Sequence, residues 1–225
     1  MIRAVFFDMN ETLLNLSLLR AQFDKHFDDK NVLKYWFTKL LHSSCIMGIM
    51  GTYQSFGELA GAALESVFFE NNQRLSTETK DEILGAFQGL PAYEDVLPAL
   101  TMLKKKNIRV IAVSNSSLAM MTEQLTNASI IHLFDSYYSV DQVAQYKPFL
   151  NIYQSAARQE RLAMEEVVMV AAHDWDLFGA QKAGLKTAYI SRKDEIYNPY
   201  YLPANFKDSN LPDLIQQIID AEELG

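Results

Sequence analysis

Cysteine is nearly absent from this chain: Cys45 is the single one among 225 residues. One thiol cannot form an internal disulfide, and it cannot supply the cysteine pairs of a zinc site. No apolar run is long enough to cross a membrane, and the apolar N-terminal stretch that ends at Phe7 is too short for a secretion signal. We therefore expect a cytoplasmic protein without a membrane partner.

Positive charge is also scarce. The chain has 20 Lys and Arg residues against 28 Asp and Glu residues, which gives a formal net charge of −8 at pH 7. Because contacts with phosphates require a basic surface, we expect no nucleic-acid partner. Hydrophobic residues make up 49% of the chain and charged residues 21%, so the composition excludes a disordered chain, a coiled coil and a collagen-like fibre.

Short apolar segments alternate with amphipathic ones over most of the chain. Strands are predicted at 2–7, 108–113, 167–170 and 186–190, with a weaker one near 137–138. Helices are predicted at 94–105, 117–128, 149–161 and 175–183. This alternation predicts an α/β protein in which a Rossmann-like parallel sheet core carries helices on both faces.

The segment between the first strand and residue 94 breaks this alternation. It contains no convincing strand, and four helices are predicted in it, at 16–27, 30–50, 56–70 and 76–88. We interpret it as a helical cap domain, 15–90, inserted into a core domain formed by 1–14 and 91–225. Because the cap helices are strongly apolar, they are also candidates for the contact of a homodimer.

Polar residues follow the predicted strands. Asp8 and Ser114 come directly after the first and second strands, Lys147 follows the weak strand, and Asp176 lies shortly after the fourth. Open parallel sheets bind ligands at the carboxyl ends of their strands. We therefore expect these side chains to meet in one crevice that holds a small-molecule substrate.

These positions carry four short motifs that resemble those of the haloacid dehalogenase (HAD) superfamily. The stretch 8–14 (DMNETLL) resembles the first motif, and Ser114 followed by Asn115 resembles the second. Lys147 before a proline resembles the third, and Asp176, ahead of a helix with small residues, resembles the fourth. The resemblance extends over essentially the whole chain, and it implies the HAD-like fold with a cap between the first two motifs.

Within the superfamily, the pattern is most similar to the L-2-haloacid dehalogenase (type II) group. The cap has a Tyr-x-x-Phe sequence at 53–56, and Tyr153 stands six residues after Lys147, as in that group. The fourth motif reads Trp-Asp-x-x-Gly-Ala at 175–180. The resemblance therefore implies a hydrolase that cleaves the carbon–halogen bond of 2-haloacids and needs neither a metal nor another cofactor.

In that group an aspartate attacks the carbon that bears the halogen, halide leaves, and water then hydrolyses the aspartyl ester. By position, Asp8 is the implied nucleophile, and Lys147 would keep it ionised. Tyr153 and Asp176 would order the lysine and the hydrolytic water. The implied contacts to carboxylate groups of enzyme or substrate come from Thr12, Ser114, Asn115 and the backbone of Met9 or Asn10.

Two departures from the superfamily pattern argue against phosphoryl transfer. Asn10 stands where the phosphatases have a second aspartate as acid and base, and an amide cannot transfer that proton. Ala171 and Ala172 stand where they have a Mg²⁺-binding aspartate, so Asp8 and Asp176 would hold Mg²⁺ poorly. A Mg²⁺-dependent phosphatase of a small phosphoester and a catalytically silent binding protein remain the alternatives.

Two other departures concern the dehalogenase group itself. Phe37 aligns with the cap arginine that grips halide or the substrate carboxylate, and a phenyl ring cannot pair with an anion. Four nearby side chains are candidates for its role: Arg20, Lys34, Lys39 and His42. His173 stands near an asparagine of the group, and it is a candidate to position the water or to act as a base near neutral pH.

Overall fold

A computed structural model describes residues 1–223 of the chain. Its strands are β1 (Ala4–Phe7), β2 (Arg109–Ser114), β3 (Ser136–Ser139), β4 (Val167–Ala171), β5 (Lys186–Ile190) and β6 (Phe206–Asp208). They form one sheet in the order β3-β2-β1-β4-β5-β6, in which all neighbouring strands are parallel. The predicted α/β class with a Rossmann-like sheet is therefore confirmed.

The helices connect these strands. The α-helices of the described residues are α1 (Ser17–Phe23), α2 (Val32–Ile49), α3 (Phe56–Glu70), α4 (Thr77–Gly85), α5 (Val96–Lys105), α6 (Leu118–Asn127), α7 (Leu150–Gln159), α8 (Asp174–Ala183) and α9 (Leu211–Glu223). Short 3₁₀ helices lie at Ile131–Leu133, Val140–Gln142 and Met164–Glu166. In this part of the chain no helix combines the length and the apolar character that a membrane span requires.

The two central strands have no solvent-facing side. All residues of β1 and β4 are buried, which explains why both strands read as continuous apolar runs rather than as alternating ones. The weak strand predicted near 137–138 is β3, at one edge of the sheet. Two of the four residues of this edge strand are only partly buried, so its sequence lacks the continuous apolar run of the central strands.

The predicted helices are present, and their ends differ by a few residues. The helix predicted at 16–27 ends at Phe23, because Lys25 and His26 donate backbone hydrogen bonds to residues three positions back and tighten the chain into turns. Helix α8 ends at Ala183 and is capped by Gly184, whose φ of 101° lies in the left-handed region that glycine adopts without strain. Helix α3 begins with a capping box between Ser55 and Glu58.

The last two elements, β6 and α9, were not predicted from the sequence. Strand β6 has three residues at the outer edge of the sheet, too few for a periodic signal. Helix α9 does carry a signal, because its buried side chains recur at helical spacing: Leu211, Leu214, Ile215, Ile218 and Ile219. This spacing is sufficient to predict the helix.

Helices α1 to α4 lie between β1 and α5 in the chain and cover the carboxyl end of the sheet. Their interior is aromatic, and Trp36 at its centre donates its indole N–H to the Ala60 carbonyl oxygen at 3.1 Å. The Tyr146 hydroxyl ties them to the sheet, since it donates to the Gln54 carbonyl at 2.6 Å and accepts from the Gln54 N–H at 3.0 Å. The division into a core of 1–14 and 91–225 and a cap of 15–90 stays a prediction.

Replacing Gly179 tests the contact between α8 and the loop that carries Lys147. A Cβ atom at position 179 would lie 2.3 Å from the Pro148 carbonyl oxygen, so the backbone would have to move. We expect Gly179→Ala to lower the free energy of unfolding by about 2 kcal/mol, which is a typical cost of overpacking. Urea denaturation measures this change. The control is Gly85→Ala at an exposed position with nothing within 4 Å of the new Cβ, where the change should not exceed about 1 kcal/mol. Equal effects would contradict this account of the packing.

Candidate active site

The carboxyl ends of β1 and β4 and the start of α7 bring three charged side chains together. Lys147 Nζ lies 3.0 Å from Asp8 Oδ1 and 2.9 Å from Asp176 Oδ2. Asp8 directly follows β1, and Asp176 lies in the first turn of α8. All three side chains are buried, with Lys147 only 1% exposed. A buried ammonium without these carboxylates would be strongly destabilising, so the three groups depend on one another.

Asp8 is held in its ionised form. Burial alone would raise the pKa of its carboxyl group, but the charge of Lys147 and hydrogen bonds from His173 and Thr12 hold that pKa well below its usual range. The Thr12 hydroxyl donates to Asp8 Oδ2 at 2.7 Å, and it accepts the N–H of Ala172 at 2.9 Å. Thr12 therefore locks the carboxylate to the end of β4.

The pKa of the second carboxyl group, that of Asp176, is shifted in the opposite direction. Burial and the charge of Asp8 raise the pKa of Asp176, and the attraction of Lys147 offsets this only in part. Tyr153 donates its hydroxyl to the Asp176 carboxylate and also lies 3.2 Å from its backbone carbonyl. The neighbouring charges therefore make Asp8, and not Asp176, the carboxylate best able to stay charged and act as a nucleophile.

His173 bridges two carboxylates. Its Nδ1 lies 3.2 Å from Asp8 Oδ2, and its Nε2 lies 3.0 Å from Glu11 Oε2. Burial would lower the pKa of the ring, but hydrogen bonds to Asp8 and Glu11 raise it to about 10. With its pKa raised this far, the ring is an imidazolium near neutral pH that donates from both nitrogens. A role as a base stays a prediction, and it requires a step that lowers this pKa.

Sequence reasoning did not find Glu11. The residue lies inside the first motif, and its side chain turns toward His173 and also accepts from Lys193, which follows β5. Its backbone has a φ of 61°, which no local sequence signal announces for a glutamate. Neither contact is visible from the sequence, because both join residues more than 160 positions apart.

The other predicted binding residues shape the loops beside Asp8. Asn115 Oδ1 accepts the N–H of Lys147 at 2.9 Å, and Ser114 Oγ accepts the N–H of Ser116 at 3.1 Å. The Asn10 amide faces Ser116 and Gln124, at 3.4 and 3.2 Å. The Met9 side chain is fully buried and does not line the cavity above Asp8.

A small cavity, here called the chamber, lies above Asp8. Its volume is about 20 Å³, enough for about one water molecule. Helices α2 and α3 and the loops at the carboxyl end of the sheet contribute to its walls, which are formed by Asp8, Asn10, Phe37, Leu41, Phe56, Ser114, Asn115, Lys147, His173 and Trp175. The apolar side chains keep bulk water away from the carboxylate.

A larger cavity of about 500 Å³, here called the vestibule, adjoins the chamber and shares Phe37, Leu41 and His173 with it. Two of the four candidate anion-binding side chains line it, namely Arg20 and Lys34. The other two do not: Lys39 pairs with Glu70, and His42 is exposed. Phe37 itself lies between the two cavities, with its ring 6.1 Å from that of His173.

The residues present do not fit a Mg²⁺ site. Lys147 already stands between the carboxylates of Asp8 and Asp176, and the loop after β4 offers Ala171 and Ala172 in place of a further carboxylate. Within residues 1–223, no group of three or more His, Cys, Asp or Glu side chains is arranged to hold a metal ion.

Comparison with known proteins agrees with this geometry. The sequence model of the family described as haloacid dehalogenase-like hydrolase matches residues 5–190. The chain belongs to this family of hydrolases. It is 28% identical over 220 residues to (S)-2-haloacid dehalogenase 1 of Pseudomonas sp. (strain CBS-3), with 97% of each chain covered.

This haloacid dehalogenase-like hydrolase is also similar to a second curated protein and to a solved structure. (S)-2-haloacid dehalogenase 4A of Burkholderia cepacia is 27% identical over 215 residues, which cover 95% of this chain and 93% of that one. The structure of L-2-haloacid dehalogenase from Xanthobacter autotrophicus with chloropropionic acid covalently bound superposes with a TM-score of 0.91 at 20% identity, over 97% and 99% of the two chains. At that identity the superposition shows a shared fold.

The charge of His173 makes the stability of the hydrolase depend on pH. The pKa of the ring is about 10 in the folded chain against 6.5 ordinarily. Because the folded pKa is the higher one, the stabilisation is fully present below about pH 6.5 and is lost as the pH rises through about 10. We expect His173→Asn to lower the free energy of unfolding by about 2 kcal/mol near pH 6.

The difference between wild type and His173→Asn should shrink steadily above about pH 7 in urea denaturation series, because unfolding then releases the proton that the folded chain holds on His173. The exposed His132 supplies the control, because His132→Asn should leave the pH dependence of unfolding unchanged. A constant difference between pH 6 and pH 10 would show that His173 is not charged in the folded protein.

Proposed function

We propose that this haloacid dehalogenase-like hydrolase cleaves the carbon–halogen bond of 2-haloacids through a covalent ester on Asp8. The observation that carries the proposal is the ionised Asp8 carboxylate, held by Lys147 and Thr12 under a chamber with one apolar wall. The (S)-2-haloacid dehalogenases of Pseudomonas sp. and Burkholderia cepacia, which align over nearly the whole chain, support the same reaction.

In the first step an Asp8 oxygen attacks the carbon that bears the halogen, a carbon–oxygen bond forms, and halide leaves with the bonding electrons. Halide departure needs no proton donor, so the absence of an acid at Asn10 does not hinder it. Lys147 keeps the attacking group charged in a site where burial would otherwise favour its neutral form. The apolar wall of Phe37, Leu41, Phe56 and Trp175 excludes water that would compete for the carboxylate.

In the second step water attacks the carboxyl carbon of Asp8 and releases a 2-hydroxy acid. The ester carbonyl develops negative charge, and the ammonium of Lys147 and the hydroxyl of Thr12 lie within hydrogen-bond distance of the two Asp8 oxygens. Neither step uses a metal or another cofactor. The chain's own cations supply the positive charge that phosphatases of the superfamily obtain from Mg²⁺.

Release of halide from 2-chloropropionate and from haloacetates tests the proposal. We expect halide release by the wild type without added metal, and a loss of at least about 10⁴-fold in Asp8→Asn, which removes the nucleophile but keeps its shape. The control Asp213→Asn changes an exposed acid on α9 and should release halide at the wild-type rate. Metal-dependent cleavage of an aryl phosphate without any halide release would contradict the proposal in favour of a phosphatase, and silence in both assays would favour a binding protein.

Phe37→Arg tests the role of the cap position. An arginine there would point at the boundary of chamber and vestibule, where it can pair with the carboxylate or the halide of the substrate. We expect kcat/KM for 2-chloropropionate to rise by about tenfold relative to Phe37→Leu, which opens the same space without a charge. Equal activity of the two variants would show that Phe37 does not stand at the anion-binding position.

We also propose a cytoplasmic location and a homodimer. Cys45 is the single cysteine of the chain, which suits a reducing compartment. Ile49 and Met50, at the end of α2, are more than 70% exposed, and apolar side chains in such a position favour contact with a second copy. Light scattering of the purified protein distinguishes a dimer from a monomer.

A further inference from the structure

Glu11 has an unusual backbone for a glutamate and an unusual burial. Its φ of 61° lies in the left-handed region, which is unfavourable for residues other than glycine. Its side chain is only 12% exposed, although a carboxylate prefers water. Strained residues of this kind persist where surrounding contacts fix them, and they are concentrated at functional sites.

The contacts of Glu11 join it to the nucleophile through one ring. Glu11 Oε2 lies 3.0 Å from His173 Nε2, and Glu11 Oε1 accepts from Lys193. The opposite ring nitrogen, Nδ1, lies 3.2 Å from Asp8 Oδ2. Glu11 therefore fixes both the orientation of the ring and the nitrogen that faces the nucleophile, as an acid does for a catalytic histidine elsewhere.

The position of His173 also gives it access to water. Its side chain is 14% exposed and lines the chamber, which has room for about one water molecule, as well as the vestibule. The charged or titratable groups around the ring are Asp8, Glu11, Lys147, Arg192, Lys193 and Glu195 from the core and Arg20 and Lys34 from the cap. Among these, Asp8 and Glu11 contact the ring directly.

We infer that Glu11 and His173 form a dyad in which His173 removes a proton from the water that hydrolyses the Asp8 ester, and Glu11 is its positioning residue. This inference rests on the proposed function, because it needs the ester to form. The dyad would transfer the proton that Asn10, two residues after the nucleophile, cannot transfer because its side chain is an amide.

His173 becomes able to act as a base when Asp8 loses its charge. In the resting enzyme the carboxylate of Asp8 keeps the pKa of His173 high, so the ring is protonated. Once Asp8 becomes a neutral ester, one of the two anionic partners of His173 is gone, and its pKa falls. The ring then gives the proton on Nδ1 to solvent and becomes a base, while Glu11 still holds Nε2–H.

In the hydrolytic step one proton passes from water through His173 to the leaving oxygen. Nδ1 of His173 takes one proton from water as the water oxygen bonds to the carboxyl carbon of Asp8. The bond between that carbon and the ester oxygen breaks, and the leaving oxygen takes the proton from His173 to become the hydroxyl of the product. Asp8 is left as a carboxylic acid that carries one oxygen from water, and it returns its proton to His173, which restores the resting pair.

Glu11→Gln and Glu11→Gly are the variants that test the dyad. Glutamine keeps the shape of the side chain without its charge, and glycine suits the left-handed φ, so at least the second variant should fold. The matched control is Glu166→Gln, which changes an acid that pairs with Arg3 at the opposite end of the sheet. Rapid mixing with 2-chloropropionate yields the halide burst, and mass spectrometry of quenched samples yields the fraction of Asp8 that carries the ester.

We expect both Glu11 variants to release the first halide within about threefold of the wild-type rate but to hydrolyse the ester at least about tenfold more slowly, within the range of general base catalysis. The ester should therefore accumulate in the variants and not in Glu166→Gln. In the wild type the rate of ester hydrolysis should rise with pH to a plateau. In Glu11→Gln the rise should move to lower pH, because His173 loses its second anionic partner.

Three results would overturn the inference, and they differ from one another. Hydrolysis of the ester at the wild-type rate, with an unmoved pH profile, would show that Glu11 does not act through His173. Equal slowing of the burst and of hydrolysis would show that Glu11 only holds the fold. Absence of halide release by the wild type, together with absence of the ester in both Glu11 variants, would remove the proposed function itself, and the dyad with it.

Discussion

The ammonium of Lys147, buried between two carboxylates, is the interaction on which the rest of the site depends. A full charge in the interior is tolerated only where opposite charges and hydrogen bonds replace water, and Asp8 and Asp176 provide them at 3.0 and 2.9 Å. Three elements of the fold position these groups. Asp8 directly follows β1, Asp176 lies in the first turn of α8, and the loop before α7 carries Lys147. Gly179 allows α8 to approach that loop closely enough. The same pairing that makes the lysine tolerable in the interior keeps Asp8 nucleophilic.

A second set of charges surrounds the first. Glu11, His173 and Lys193 add an acid and two cations, so that three carboxyl groups and three cations face one another around the chamber and its entrance. When Asp8 loses its charge to an ester, the cations exceed the carboxylates by one charge, and His173 restores the balance by giving up its proton. Arg20 and Lys34 line the vestibule beside Phe37. Cations therefore lie near the entrance for an anionic substrate even though position 37 itself carries a phenyl ring.

Much of the fold was predictable from the sequence, because buried parallel strands and amphipathic helices leave strong periodic signals. Asp8, Lys147 and Asp176 were also predictable as neighbours, since the carboxyl ends of parallel strands share one edge of a sheet. Glu11 was not, because its contacts with His173 and Lys193 depend on a loop conformation and on chain segments more than 160 positions away. The protonated state of His173 was unpredictable for the same reason, since it depends on two carboxylates that only the fold brings to the ring.

The central claim is that Asp8 forms a covalent bond with the substrate, and oxygen labelling tests it most directly. Enzyme in excess over 2-chloropropionate is allowed one turnover in H₂¹⁸O, and the peptide that contains Asp8 is then analysed by mass spectrometry. Because water attacks the carboxyl carbon of the ester, the account predicts ¹⁸O in Asp8 and unlabelled oxygen in the hydroxyl of the product. Label in the product alone, with none in the Asp8 peptide, would mean that water attacks the substrate directly and would contradict the account.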